Sequence, residues 1–159
     1  MLRTVTSFAF ACWVALLSPV ARAATCKDIV AQHMTAQALL TAQLVAGAER
    51  ASMKPNEINA VLKDVAQRSA IEEFWITDPS GHAYLTNTGV NFTFSPDPTK
   101  QPQASAFWPL IDGRATVVVQ EARKREIDDQ VFRYVGAAGV DKPRIVQVGV
   151  SAKGLPNCN

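Results

Sequence analysis

The chain offers little to a metal or to hydrolytic catalysis. His33 and His82 are its two histidines, and neither has a ligand-type neighbour at a useful spacing. There is no H-x-x-x-H, H-E-x-x-H or C-x-x-C, the patterns that bring two donors to one side of a zinc ion. A G-x-S-x-G elbow and a phosphate-cradling glycine loop are also missing, so no cofactor is expected. His82 reads as a surface turn residue, and Glu72-Glu73 as an exposed helix end rather than a catalytic pair. Catalytic triads assemble in space rather than in sequence, so an enzyme stays the third reading, behind two non-enzymatic ones.

Residues suited to holding a ligand are more plentiful. Trp75, Tyr84, Trp108, Phe132 and Tyr134 fall on expected strands or on the insertion between them. Each is either core or pocket wall, and Trp and Tyr carry polar tips that need partners when buried. Thr77, Gln120 and Gln147 are polar residues within apolar strands. A buried amide must be satisfied, and a ligand is one way to do it. Strand alternation groups Gln147 with Ile145 and Gly149, opposite Val146, Val148 and Val150. The valine side is expected on helices, leaving Gln147 facing a pocket. Arg123, beside Lys124 and Arg125, is a solvated basic turn or, turned inward, a bidentate grip for a carboxylate. The solvated turn is the plainer reading.

The elements that position these residues follow from periodicity and turn chemistry. Residues 28–50 are rich in Ala, Gln and Leu and read as a helix, with Ile29, Ala36, Leu40, Leu44 and Gly47 on its inner stripe. Pro55 suits the first turn of a second helix, with Ile58, Val61, Leu62 and Val65 inward. Residues 74–77 (FWIT) and 82–87 (HAYLTN) form two strands around Asp78-Pro79-Ser80-Gly81, a type I turn sequence. A Pro-rich connection over 88–102 leads to a short helix or turn at 103–112, stopped by Gly113. A connection of this length in a compact domain often serves binding. Strands follow at 115–123, 131–136 and 144–152, joined by short turns and therefore antiparallel. The fold class is α+β: a five-stranded antiparallel sheet, N-terminal helices within 28–70 on one face, and a helical insertion between strands 2 and 3 on the other.

The first residues carry an address. Arg3 precedes an uncharged, mostly apolar run at 7–20, and Ala21-Arg22-Ala23 has the small-x-small pattern of a cleavage site. Residues 1–23 thus read as a signal peptide, and 24–159 as one periplasmic or secreted domain; an uncleaved anchor is the alternative. Loss of Arg3 and Arg22 takes Lys+Arg from 16 to 14, equal to the 14 Asp+Glu. A near-neutral chain argues against nucleic acid. No second run of spanning length follows. Cys26 and Cys158, near the two mature ends, are expected to form a disulfide in an oxidising compartment, with two free thiols as the alternative.

This order of elements resembles PAS-like extracellular sensor folds. Residues 73–87 (EFWITDPSGHAYLTN) resemble the first hairpin of Cache sensor domains, and 131–149 (VFRYVGAAGVDKPRIVQVG) their last. The resemblance covers roughly residues 72–150 and implies a small-molecule-binding module, here for a metabolite such as an organic acid. Members of that family usually precede a membrane span and a signalling domain, whereas this chain stops at Asn159. A membrane receptor or sensor kinase is therefore the expected partner. The second reading is a protein-interaction module of the cell envelope with no small ligand.

Overall fold

The computed structural model describes residues 24–158; the leader read over 1–23, with its cleavage site, lies outside the described residues. Thr25 opens helix α1 (Cys26–Arg50) through a capping box. The Thr25 Oγ1 accepts from the Asp28 N–H at 3.2 Å, and Asp28 accepts from the Thr25 N–H at 2.9 Å. Helix α2 (Pro55–Arg68) starts on Pro55, whose missing N–H is not needed in a first turn.

The inner face of α1 differs from the stripe expected. Leu40 is 69% exposed, and Ile29 and Leu44 are also exposed. The buried residues are Met34, Ala38, Thr41, Ala42, Val45, Ala46 and Ala48. Small side chains let the helix backbone settle close to the sheet, where leucines would hold it away. On α2 Ile58 and Leu62 are buried as expected, but Val61 and Val65 are exposed.

Among the described residues the sheet is antiparallel and has six strands: β1 (Glu73–Thr77), β2 (Ala83–Thr86), β3 (Val117–Val119), β4 (Arg123–Lys124), β5 (Val131–Ala138) and β6 (Ile145–Ser151). Their order is β2-β1-β6-β5-β3, with β4 also on β5. The single third strand expected over 115–123 is thus two. Val119 pairs with Val135 and Arg123 with Phe132, so the edge strand takes four steps where β5 takes three. The extra residue bulges the edge at 120–122 and ends regular pairing there. A 3₁₀ helix (Ala104–Leu110) lies in the insertion between β2 and β3.

Each sheet face has its own core. Phe74, Ile76, Val135, Ala137, Val146, Val148 and Val150 pack with α1 and α2. Trp75, Phe132, Tyr134 and Ile145 face the insertion and pack with Phe94, Phe107 and Leu110. Gly136 makes the second contact possible: a β-carbon there would lie 2.7 Å from Phe107 Cδ1 and 2.8 Å from Leu110 Cδ1. Among the described residues no helix is long and apolar enough to cross a membrane.

Cys26 and Cys158 are disulfide-bonded, tying the first turn of α1 to the tail after β6 across a separation of 132 residues. Closing so long a loop removes denatured-state entropy worth about 5 kcal/mol in the chain-entropy account. Urea denaturation with and without reductant should show a loss of unfolding free energy approaching that value. Equal midpoints would show that the clasp contributes nothing.

Candidate functional site

The sheet register assembles a polar group on the insertion side. Glu73 and Tyr134 both pair with Gly149, from opposite neighbouring strands. Glycine leaves this row empty in the middle, so the Tyr134 ring crosses it; a β-carbon on Gly149 would collide with ring atoms of Tyr134. Tyr134 OH donates to Glu73 Oε2 at 2.7 Å, and Trp75 Nε1 donates to the same oxygen at 3.0 Å. Glu73 Oε1 accepts from Arg125 Nη1. Arg125 Nε also donates to Asp128 Oδ1 at 2.6 Å, and its guanidinium lies 4.2 Å over the Phe132 ring. Burial raises the Tyr134 hydroxyl well above its usual range, and the Glu73 charge adds to this. It therefore stays a neutral donor.

The next row holds Trp75, Gln147 and Gly136 side by side. Gln147 is 2% exposed, and its Nε2 is buried without a hydrogen-bond partner. It lines a cavity of about 10 Å³ together with Trp75, Phe92, Phe94, Gln103, Arg125 and Tyr134. That is room for about one water. The valine face lies on the helices and the Gln147 face on this cavity.

Of the nine residues selected from the sequence, Trp75, Tyr134 and Gln147 meet at this cavity, and Phe132 stacks on Tyr134 beside it with ring centroids 5.5 Å apart. The other five lie elsewhere. Thr77 is buried, and its Oγ1 accepts from the Ile145 N–H at 3.0 Å, closing the end of the β1–β6 pair. Half-buried Trp108 covers the hairpin turn at Gly81. Gln120 sits in the edge bulge and is satisfied by Gln103: Gln103 Nε2 donates to its Oε1 at 2.9 Å, and its Nε2 donates to the Gln103 carbonyl at 2.8 Å. Arg123 is exposed, as the solvated reading expects.

Tyr84 is the clearest displacement. A bulge between Ile76 and Thr77 shifts its register, and it turns to the helix side. There it donates to Glu49 and accepts from Arg144 Nη1 at 2.6 Å. Arg144, 1% exposed, donates to Glu49 Oε2 at 3.0 Å, and Lys142 Nζ lies 2.9 Å from the same oxygen.

Two charged residues of the insertion side went unselected in the sequence. Glu73, read as an exposed helix end, is 8% exposed at the head of β1. Its signal was parity, since Glu73, Trp75 and Thr77 alternate along one strand. Arg125, not Arg123, is the basic residue that turns inward. Among the described residues no group of three or more His, Cys, Asp and Glu is placed to hold a metal ion. No protein-family model matches the chain, and no curated protein matches its sequence.

Two measurements test these clusters. Burial pushes the Glu49 carboxyl up, but hydrogen bonds from Tyr84, Lys142 and Arg144 outweigh it and bring it from 4.5 to about 2. A depressed carboxyl stabilises the fold above its unfolded value and loses that contribution as pH falls from about 4.5 through about 2. Glu49→Gln should flatten the fall in urea midpoint across that window; an unchanged profile would place the acid sensitivity elsewhere. On the insertion side, Tyr134→Phe removes a donor to a buried carboxylate. It should lower the unfolding free energy by about 1.5–3 kcal/mol by urea titration, whereas a cost near zero would mean that Glu73 does not need it.

Proposed function

We propose that the chain is an exported, sensor-type Cache-like domain that binds a small metabolite, such as an organic acid, on the insertion side of its sheet. One observation carries the reading: Gln147 Nε2 is buried, unpartnered and in the wall of a cavity. A buried donor without an acceptor is costly, and a ligand oxygen would supply the acceptor. Trp75, Phe92, Phe94 and Tyr134 provide the flat apolar walls that small-molecule sites favour.

In the present conformation the cavity is too small for a metabolite. Entry requires the turn carrying Arg125, Glu126 and Ile127, which lines it, to move outward. That turn is held by ion pairs of Arg125 with Glu73 and Asp128. A carboxylate ligand competes for the same guanidinium, so binding and opening are linked. The strand order, with helices on one face and a long insertion on the other, supports the PAS-like reading. The disulfide fits an oxidising, periplasmic or extracellular location. The partner proposed with this reading is a membrane receptor or sensor kinase.

A second reading, a protein-interaction module, draws on the outer face of the helices. Leu40, Leu44 and Val65 are exposed there and line a groove of about 210 Å³ between α1 and α2.

Thermal-shift screening of the disulfide-bonded protein against organic acids, amino acids and purines separates the two. Binding predicts saturable stabilisation by one class, about 2.7 kcal/mol at a hundred times Kd. Gln147→Leu should abolish that response while leaving the unliganded protein as stable or more so, because the unpartnered amide is gone. Absence of any response, with a protein partner retained by the wild type and lost in Leu44→Lys, would favour the interaction reading.

A further inference from the structure

The other face of the sheet carries a second buried donor with a weaker set of partners. Arg133 lies on β5 between Phe132 and Tyr134, so its side chain points to the helix side, away from the cavity of Gln147. It is 5% exposed. Its Nε is buried and has no partner. Its other two nitrogens make long contacts: Nη1 to the Lys27 carbonyl and Nη2 to Glu121 Oε1, each at 3.4 Å. Glu121 is 78% exposed at its side chain. Its carboxylate can leave for water at little cost. A guanidinium removed from water normally has close, charge-assisted partners at about 2.7–2.9 Å.

Arg133 lines a cleft of about 360 Å³. Lys27 and Val30 from the start of α1 form one wall, Glu121 and Ala122 of the edge bulge another, and residues 155–158 the third. The last wall ends at Cys158, held in place by its bond to Cys26. The size falls within the range of small-molecule sites. Lys27 and Arg133 bring two positive charges to the lining against the one negative charge of Glu121, while Val30, Leu155 and Pro156 give an apolar side.

We infer that this cleft is a second binding site, for a small organic anion. Its carboxylate takes the Nε–Nη2 edge of Arg133 in place of Glu121, and its apolar body lies against Val30, Leu155 and Pro156. The site is independent of the reading given for Gln147, because it lies on the opposite face of the sheet. The disulfide builds one of its walls, so reduction of Cys26–Cys158 should weaken it.

Benzoate is a suitable probe, with benzamide as its uncharged counterpart and inorganic phosphate as an anion without a body. The protein with its disulfide intact is titrated while the Arg133 Nε–H resonance is followed by ¹H–¹⁵N NMR. Benzoate should shift that resonance saturably, and benzamide and phosphate should each bind more than about tenfold more weakly. Arg133→Met should abolish benzoate binding while Gln147→Leu leaves it unchanged. Should Arg133→Met not fold, Leu155→Ala and Lys27→Met provide the test, each weakening benzoate. An unmoved Nε–H resonance, equal binding of benzamide, or wild-type affinity in these variants overturns the assignment. Binding lost in Gln147→Leu but kept in Arg133→Met would place the anion in the other cavity.

Discussion

The insertion side of this protein hangs on one carboxylate. Glu73 heads β1 with its side chain 11% exposed, and an ionised group so placed must be neutralised and hydrogen-bonded. Its three donors come from different parts of the chain: Trp75 two residues on, Tyr134 from β5, and Arg125 from the turn before β5. Each donor fixes the segment that carries it. Arg125 brings its turn onto the sheet, and the turn brings Glu126, which accepts from the backbone N–H groups of Gln103 and Ala104. Those two residues open the 3₁₀ helix. A Pro-rich connection that makes few ladder bonds of its own is thus tied to the sheet by ionic contacts that begin at Glu73.

The helix side is held by a different principle. Its core is apolar, and its closeness comes from alanines: Ala38 and Ala42 are almost fully buried on the face of α1 that meets the sheet. Spending small residues on the inner face leaves Leu39, Leu40 and Leu44 on the outer one. Polar chemistry enters this side at the edges, in the Glu49–Tyr84–Arg144 cluster and at Arg133. The two faces therefore respond to different conditions. Loosening the insertion needs competition for ions and hydrogen bonds as well as exposure of its apolar core, whereas loosening the helices needs chiefly exposure of apolar area.

The strands were legible in the sequence because a period of two reports directly on burial. The division between Gln147 and its flanking valines reads straight from the chain. The inner face of α1 was not legible by counting large residues, since the residues buried there are mostly small. Nor was the bulge at 120–122: an apolar run does not encode the one-residue excess that breaks it, and this excess is what hands Gln120 to Gln103. A second bulge sent Tyr84 to the helix side. Among Arg123, Lys124 and Arg125 composition cannot choose. The choice is made by the turn, where Asp128 lies three residues beyond Arg125 and takes its Nε.

Among the described residues two buried side-chain donors are left without acceptors, and the difference between them is informative. Gln147 Nε2 is neutral and borders a space for about one water. Leaving such a group unpaired costs about 1–3 kcal/mol, which a domain of this size can carry. Arg133 is a cation, for which the same omission is more costly, yet its two remaining contacts are long, each at 3.4 Å. It also borders the larger opening, and the carboxylate nearest to it belongs to an exposed side chain. A neutral donor tolerates the lack of an acceptor more cheaply than a cation does. The two unsatisfied donors therefore rest on different terms: Gln147 against a space of about one water, and Arg133 behind a carboxylate that water can draw away.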